Sequence, residues 1–297
     1  VRQRKRDIVM SFREGSEGQV ASAGVELVKG EGSFTGPRTL AVALNDGGRR
    51  ELEADLIIIN TGDRPALPPI DGLADVEVLD STSVMELDEV PEHLIILGGG
   101  YVGLEFSQMF RRFGSRVTVV QRGPQLLSRE DEDVASWVAD ILREDGIDAL
   151  LQTRATRVSP GRAGGVDVVV QGPDGGGSRT LSGSHLLVAT GRVPNSDGLG
   201  LSLAGIEADK AGYIVVNDRL ETNVPGIYAL GDVKGGPAFT HISYDDFRIV
   251  RANLLHGGSE STRGRLVPYT VFIDPQLGRI GLTEKEARDE GRNVRIA

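Results

Sequence analysis

The 297-residue sequence predicts an α/β fold built on parallel sheet, and three observations predict it. Residues 94–106 (LIILGGGYVGLEF) are an aliphatic run that breaks at three glycines and resumes with helical periodicity. Three more aliphatic segments, 56–59, 186–188 and 226–230, end in Asn60-Thr61-Gly62, Thr190-Gly191 and Gly231-Asp232. Helical and strand patterns alternate between these segments, as βαβ crossovers require.

Taken in order, residues 4–15 read as a helix with Ile8, Val9 and Phe12 on one side, and 25–34 as strand material up to the Gly36-Pro37 turn. Residues 39–44 and 49–55 flank Asp46-Gly47-Gly48, a hairpin signal. The continuous apolar run 56–59 has the pattern of a strand buried on both faces. Pro65, Pro68, Pro69 and Gly72 then stiffen a crossing, 80–88 reads as a short helix, and a domain boundary is placed near residue 75.

In the central unit, Gly98, Gly100 and Gly103, with Gly99 between, fit G-x-G-x-x-G. The first glycine permits the tight turn, the second lets a pyrophosphate approach the backbone, and the third allows close helix–strand packing. The N–H groups at the helix start then face the phosphates. Val102, Phe106, Met109, Phe110 and Phe113 recur at helical spacing, Gly114 supplies a stop, and 116–120 is the next strand, which completes a Rossmann-like βαβ unit. At the end of that strand an NAD-binding fold places a carboxylate for the ribose 2′-hydroxyl. Gln121 and Arg122 stand there instead, a neutral amide and a guanidinium that favour NADPH over NADH.

Residues 128–131 form a capping-box pattern opening a helix through 142, with Val134, Val138, Ile141 and Leu142 inward and Gly146 as the stop. Residues 147–151 supply a third parallel strand, and 166–171 with 179–182 read as an antiparallel excursion across the glycines at 175–177. The strand 226–230 puts Asp232 at its C-terminal end, where open α/β sheets bind ligands. A helix over 243–255 carries Phe247, Val250 and Leu254 on its inner stripe and Asp245 and Asp246 in its first turn. Residues 269–273 and 279–282 suggest a hairpin around Asp274-Pro275, Thr283 caps a helix that stops at Gly291, and 293–297 begins a strand.

A net charge of −10 argues against wrapping an anionic polymer, so nucleic acid is not an expected partner. No apolar run approaches the roughly 20 residues that span a bilayer, and the chain reads as cytoplasmic with no membrane partner. Cysteine is absent, and His93, His185, His241 and His256 lie far apart with no ligand-like spacing, so no metal site is expected. Because the chain starts at Val1 in a charged helical pattern and ends on an opening strand, it is read as a fragment.

Four ordered motifs, NTG at 60–62, GGGYVGLEF at 98–106, ATGRVPN at 189–195 and TNVPGIYALGDV at 222–233, give the chain a specific resemblance over nearly its whole length. It resembles the pyridine nucleotide-disulfide oxidoreductase family of flavoproteins. FTHISYDDFRIV at 239–250 and VPYTVF at 267–272 look most like the mercuric-reductase-like branch, which includes the reactive-chlorine-resistance flavoproteins. The resemblance implies two Rossmann-like dinucleotide-binding domains. An FAD domain would comprise residues 1–74 and 196–264 and an NAD(P) domain residues 75–195, with an α+β dimer-interface domain opening at 265.

The resemblance also implies that Gly98, Gly99, Gly100, Gly103, Gln121, Arg122 and Gly191 hold the pyridine nucleotide. Thr61, Gly62, Gly231 and Asp232 would hold FAD, with Thr240 and His241 near the flavin ring. Tyr101 matches an aromatic placed over the flavin, a position that simple packing also explains. Glu105 matches a carboxylate beside the nicotinamide, where helix-dipole compensation is the plainer alternative. The implied activity is hydride transfer from NADPH to FAD and on, through a C-x-x-x-x-C dithiol that this chain lacks, to a mercuric or cupric ion or another electrophilic acceptor. The complete protein would be a homodimer. An NADH-linked dihydrolipoamide dehydrogenase and a non-catalytic nucleotide-binding fragment are the alternatives.

Overall fold

A computed structural model describes residues 1–173 and 177–296. Gly175 and Gly176 of the predicted glycine turn, and Ala297 of the last predicted strand, lie outside the described residues. The chain divides into two compact units. The first comprises Val1–Arg64 and Arg192–Val267, the second Pro65–Gly191 and Pro268–Ala297.

The first unit opens with helix α1 (Arg2–Ser22), longer than predicted and without a buried residue. Ile8, Val9 and Phe12 therefore do not reach the core. An antiparallel meander follows: β1 (Gly30–Phe34), β2 (Thr39–Leu44) and β3 (Arg49–Glu53), with Asp46-Gly47-Gly48 turning the second hairpin as its glycines suggest. Strand β4 (Ile57–Ile59) corrects the two-faced burial read from its apolar run. Ile57 and Ile59 are buried, whereas Ile58 is 46% exposed, because the strand lies in a two-stranded sheet packed on one face only. The short strand β5 (Asp63–Pro65) leads out of the unit.

In the second unit, the 80–88 segment forms a single 3-10 turn, Ser83–Glu86, pinned by the Asp80 carboxylate, which accepts from the Thr82 and Ser83 N–H groups. The core is a parallel sheet in the order β12-β6-β7-β8. Its strands are β6 (His93–Leu97), β7 (Arg116–Val120) and β8 (Asp148–Leu150), with helix α2 (Tyr101–Arg112) crossing from β6 to β7 and α3 (Glu132–Glu144) from β7 to β8. Next come β9 (Arg154–Pro160), β10 (Val166–Gln171) and β11 (Ser178–Gly183), an antiparallel sheet with one strand more than predicted, and β12 (His185–Val188), which returns beside β6. Leu94 and Ile96 of β6 face a cluster with Leu104, Phe110, Val138 and Leu142 of the helices. Ile95 and Leu97 face Val158, Val166, Val168 and Val170 of the antiparallel sheet. A strand covered on both faces must be apolar throughout, which is why LIIL is unbroken.

Two helix readings in this unit change. On α2 the buried face carries Gly103, Leu104, Ser107, Gln108 and Phe110, while Phe113 is half-exposed beyond the helix end. On α3 the predicted capping box does not form. Asp131 is the N-cap and makes no side-chain cap bond, and Ala135, Val138 and Leu142 are the buried residues.

The chain re-enters the first unit with β13 (Arg192–Pro194) and β14 (Ile227–Ala229), which pairs in parallel with β4. Helix α4 (Thr240–His256) starts three residues before its predicted start, so Asp245 and Asp246 sit in its second turn. Ile242, Asp246, Ile249 and Val250 are buried, and Phe247, predicted inward, is half-exposed.

The last segment belongs to the second unit. Strands β15 (Tyr269–Val271) and β16 (Leu277–Arg279) form a hairpin whose second strand starts two residues before the expected 279, with Val271 and Ile273 in the core cluster of β6 and α2. Helix α5 (Glu284–Asp289) starts at a complete capping box between Thr283 and Glu286. Residues 293–296 are irregular, without the strand expected there.

Candidate functional site

In the second unit, the parallel sheet delivers the glycine loop to its C-terminal edge. Gly98 follows β6 at φ +108°, and a Cβ there would lie 2.3 Å from the carbonyl oxygen of Ala189. A Cβ on Gly103 would lie 2.2 Å from the Gly98 carbonyl oxygen, so the helix seats directly on the loop. Gly100, the N-cap of α2, is the opposite case, because its missing Cβ faces space with nothing within 4 Å. Open space against backbone at a helix start, where the first N–H groups have no intrahelical partner, is what a pyrophosphate needs. The residues present therefore fit a dinucleotide. Gly191 follows the strand beside β6 and is also open, at φ +141°, while its carbonyl accepts from the Ala66 N–H at 3.0 Å.

At the end of β7, Gln121 and Arg122 point to different tasks. The Gly99 N–H donates to Gln121 Oε1 at 3.1 Å, and Gln121 Nε2 donates to the Gln125 carbonyl at 3.0 Å. Arg122 is exposed and makes no hydrogen bond or ion pair among the described residues. Tyr101 is partly buried against the core cluster of its own unit. Glu105, one turn along α2, accepts the Phe272 N–H at 2.9 Å. Burial holds its carboxyl above the ordinary 4.5, opposed in part by that hydrogen bond.

In the first unit, Thr61 Oγ1 donates to the Asn195 carbonyl at 2.8 Å, Asn195 Nδ2 donates to the Thr61 carbonyl at 2.9 Å, and the Asn195 N–H donates to the Gly62 carbonyl at 2.9 Å. The two Pro-containing exits thus clasp each other. Gly231 adopts φ +66°, and a Cβ there would meet Ser243 Oγ at 2.7 Å and Asn60 Oδ1 at 2.8 Å, so the turn that presents Asp232 is tightly enclosed. Asp232 is half-buried. Burial raises its carboxyl above the ordinary 3.8, and the neighbouring Asp63 raises it further, while Arg192 and Lys234 oppose. Thr240 and His241 are exposed at the start of α4, His241 stacked on Phe239 with ring centroids 5.4 Å apart. A half-buried carboxylate able to accept hydrogen bonds from hydroxyls, with the exposed N–H groups of a helix start in the same unit, suits a polyol chain attached to a ring that takes up negative charge.

Two buried carboxylates beside these turns escaped the sequence reading. Asp63, with 4% of its side chain exposed, receives Arg192 Nε at 2.6 Å. The signal was available: Thr-Gly-Asp at 61–63 and Thr-Gly-Arg at 190–192 put opposite charges at the same offset after matching strands. Asp246, read as dipole compensation, is fully buried. Its Oδ2 accepts the Gly231 N–H at 2.9 Å and lies 3.3 Å from Lys234 Nζ, and its Oδ1 lies 2.8 Å from Arg265 in an ion pair outside hydrogen-bond angles. Nothing in the sequence pattern marks a helix-borne carboxylate as a support for a distant turn.

His93 bridges Ser182 O and Thr118 Oγ1, and among the described residues no group of three or more His, Cys, Asp or Glu could hold a metal. No described helix is long and apolar enough to cross a membrane.

The family model described as "Pyridine nucleotide-disulphide oxidoreductase" matches residues 2–246. The "Probable pyridine nucleotide-disulfide oxidoreductase RclA" of Escherichia coli (strain K12) is 40% identical over 99% of this chain and 66% of its own length. A "Mercuric reductase" of Streptomyces lividans is 40% identical over 91% of this chain and 56% of its own. The solved "Cu(II) complex of HOCl-induced flavoprotein disulfide reductase RclA from Escherichia coli" superposes with a TM-score of 0.88 at 40% identity, covering 97% of this chain and 64% of that one. The chain thus spans about two thirds or less of the length of these relatives.

Proposed function

Because the chain belongs to the pyridine nucleotide-disulphide oxidoreductase family, we propose that it is part of an FAD-dependent enzyme that takes hydride from NADPH and delivers electrons to a metal ion or another electrophilic acceptor. The observation that carries the reading is the glycine loop at the end of β6, closed by contact at Gly98 and Gly103 and open at Gly100. Bound together, the two cofactors supply hydride transfer from nicotinamide to flavin and onward reduction of a disulphide.

This chain's own residues bind and orient. The loop from Gly98 to Gly103 takes the pyrophosphate, and Arg122, with its exposed guanidinium, takes the 2′-phosphate of NADPH. Glu105 orients the nicotinamide carboxamide, and Tyr101 guards the same end. In the first unit Asp232 accepts from the ribityl hydroxyls, the Thr61-Gly62 exit lines the flavin site, and the N–H groups at Thr240 and His241 stabilise negative charge on the reduced ring. Asp63 and Arg192 hold the exits on which these groups stand. The dithiol would lie in a part of the protein outside this chain, and the complete enzyme would be a cytoplasmic homodimer.

The printed names of the relatives, a mercuric reductase and a flavoprotein solved with Cu(II), support a soft or redox-active metal ion as the acceptor class. The test is NADPH oxidation by the full-length protein with Hg(II), Cu(II) and dihydrolipoamide-couple substrates in parallel. Metal-dependent turnover that prefers NADPH is expected, and turnover confined to the lipoamide couple with NADH would overturn the reading. Arg122→Glu should weaken NADPH by at least tenfold relative to NADH, since a charge-assisted phosphate contact is lost and a like charge put in its place.

A further inference from the structure

We propose that Gln121 is a positioning residue for the glycine loop, serving NADPH and NADH alike and leaving discrimination of the 2′-phosphate to Arg122. The inference rests on the nucleotide-binding reading of the loop and deepens it.

Both ends of the partly buried Gln121 carboxamide are held by the protein. Its oxygen accepts the Gly99 N–H and its nitrogen donates to the Gln125 carbonyl. A backbone N–H demands an acceptor and a carbonyl demands a donor, so only one amide orientation satisfies both. The Gly99 peptide is held from its other side as well, because its carbonyl accepts the Leu127 N–H at 2.9 Å. Leu127 is buried and adopts φ +46°, an unusual conformation for leucine that the surrounding bonds maintain. Further along, Gln125 Nε2 donates to the Glu130 carbonyl at 2.9 Å, and the Glu130 N–H donates to the Leu127 carbonyl at 2.8 Å. The gap above Gly99 is filled by Leu126 and Gln121, since a Cβ on Gly99 would meet Leu126 Cδ2 at 2.6 Å and Gln121 Cβ at 3.2 Å.

Residues 121–130 therefore form a clamp that fixes the peptide immediately before the open Gly100. Both nucleotides carry the same pyrophosphate, so a residue that acts by pre-setting this loop acts on both equally. A carboxamide that faced the ribose would instead separate them. The next residue, Arg122, is exposed and uncommitted among the described residues, which leaves it to read the 2′ position.

The test compares Gln121→Ala and the similarly sized, uncharged Gln121→Met in the full-length protein, by equilibrium titration with NADPH, NADH and adenosine 2′-monophosphate, which lacks the pyrophosphate. Loss of both carboxamide bonds should weaken NADPH and NADH together by about tenfold, with their ratio within about twofold of wild type. Adenosine 2′-monophosphate affinity should hold in both variants and fall in Arg122→Ala. Hydrogen exchange without ligand should quicken in residues 98–106 and stay slow in β7, which distinguishes loop positioning from general destabilisation. A ratio that moves by more than about fivefold, or unchanged affinity for both nucleotides, overturns the proposal. Wild-type protein that binds neither nucleotide overturns the reading beneath it instead. If Gln121→Ala does not fold, Gln121→Met carries the comparison.

Discussion

Gly98 and Gly100 stand two residues apart and are glycine for opposite reasons, which gives the loop a sharp test. Ala at 98 meets a carbonyl at 2.3 Å in a left-handed conformation, so Gly98→Ala should destabilise the second unit by about 2 kcal/mol or more. Ala at 100 meets nothing, so Gly100→Ala should melt like wild type yet lose at least about tenfold in nucleotide affinity, by occupying the space the phosphates need. Equal loss of stability in both variants would refute that distinction. His93 gives a pH signature at the other end of the sheet. Burial depresses its proton affinity below the ordinary 6.5 while its ring bridges Ser182 and Thr118. The unfolded chain therefore binds this proton first. The stability His93 contributes is complete above about pH 6.5 and declines as pH falls from there toward the depressed folded value. Melting curves of wild type and His93→Gln should diverge in slope over that acid window; parallel curves would count against it. The glycines were legible because each sits in a motif with a steric purpose. The role of His93 was not, because its partners lie 25 and 89 residues away.

At the scale of elements, what the sequence conveyed was periodicity, and what it withheld was partnership across the chain. Strands β6 and β12 were readable from unbroken aliphatic runs and β7 from a run broken only by the buried Thr118, because both faces are covered. The same pattern misled at β4, where one face is left exposed. Asp131 shows the limit for caps. Local spacing assigned it to a capping box on α3, but its carboxylate accepts the N–H groups of Glu284 at 2.7 Å and Lys285 at 3.1 Å, capping α5 from 153 residues away. Thr283 takes the Glu286 N–H, so the first three N–H groups of α5 are all satisfied. Asp131→Ala should cost about 1–2 kcal/mol and raise hydrogen exchange in α5 ahead of α3. Slower loss in α5 than in α3 would contradict the assignment. Asp246 belongs to this scale too, as the link from α4 to the Gly231 turn. Asp246→Ala removes the carboxylate paired with the enclosed Lys234, while Arg265 keeps Asp245 at 2.9 Å, and should cost about 3 kcal/mol, with Asp246→Asn losing less because it keeps an acceptor for Gly231.

For the molecule as a whole, the proposed function puts two dinucleotides on one chain, each on residues of its own unit. In the full-length protein, Gly100→Ala should then weaken NADPH binding by at least about tenfold while flavin content stays at the wild-type level, and Asp232→Ala should lower flavin content and spare NADPH binding. Four ordered motifs suggest that division, whereas the supports beneath them, Asp63, Asp246 and the Gln121 carboxamide, act through contacts that no local spacing records. The proposed electron path runs from NADPH through flavin to a dithiol in the complete protein. An anaerobic titration of the full-length protein with NADPH, followed through the flavin's visible spectrum, tests it most directly. A long-wavelength thiolate-to-flavin charge-transfer band, appearing at lower NADPH than in a parallel NADH titration, is the expected result. Flavin that only bleaches, or a protein that carries no flavin, would contradict it.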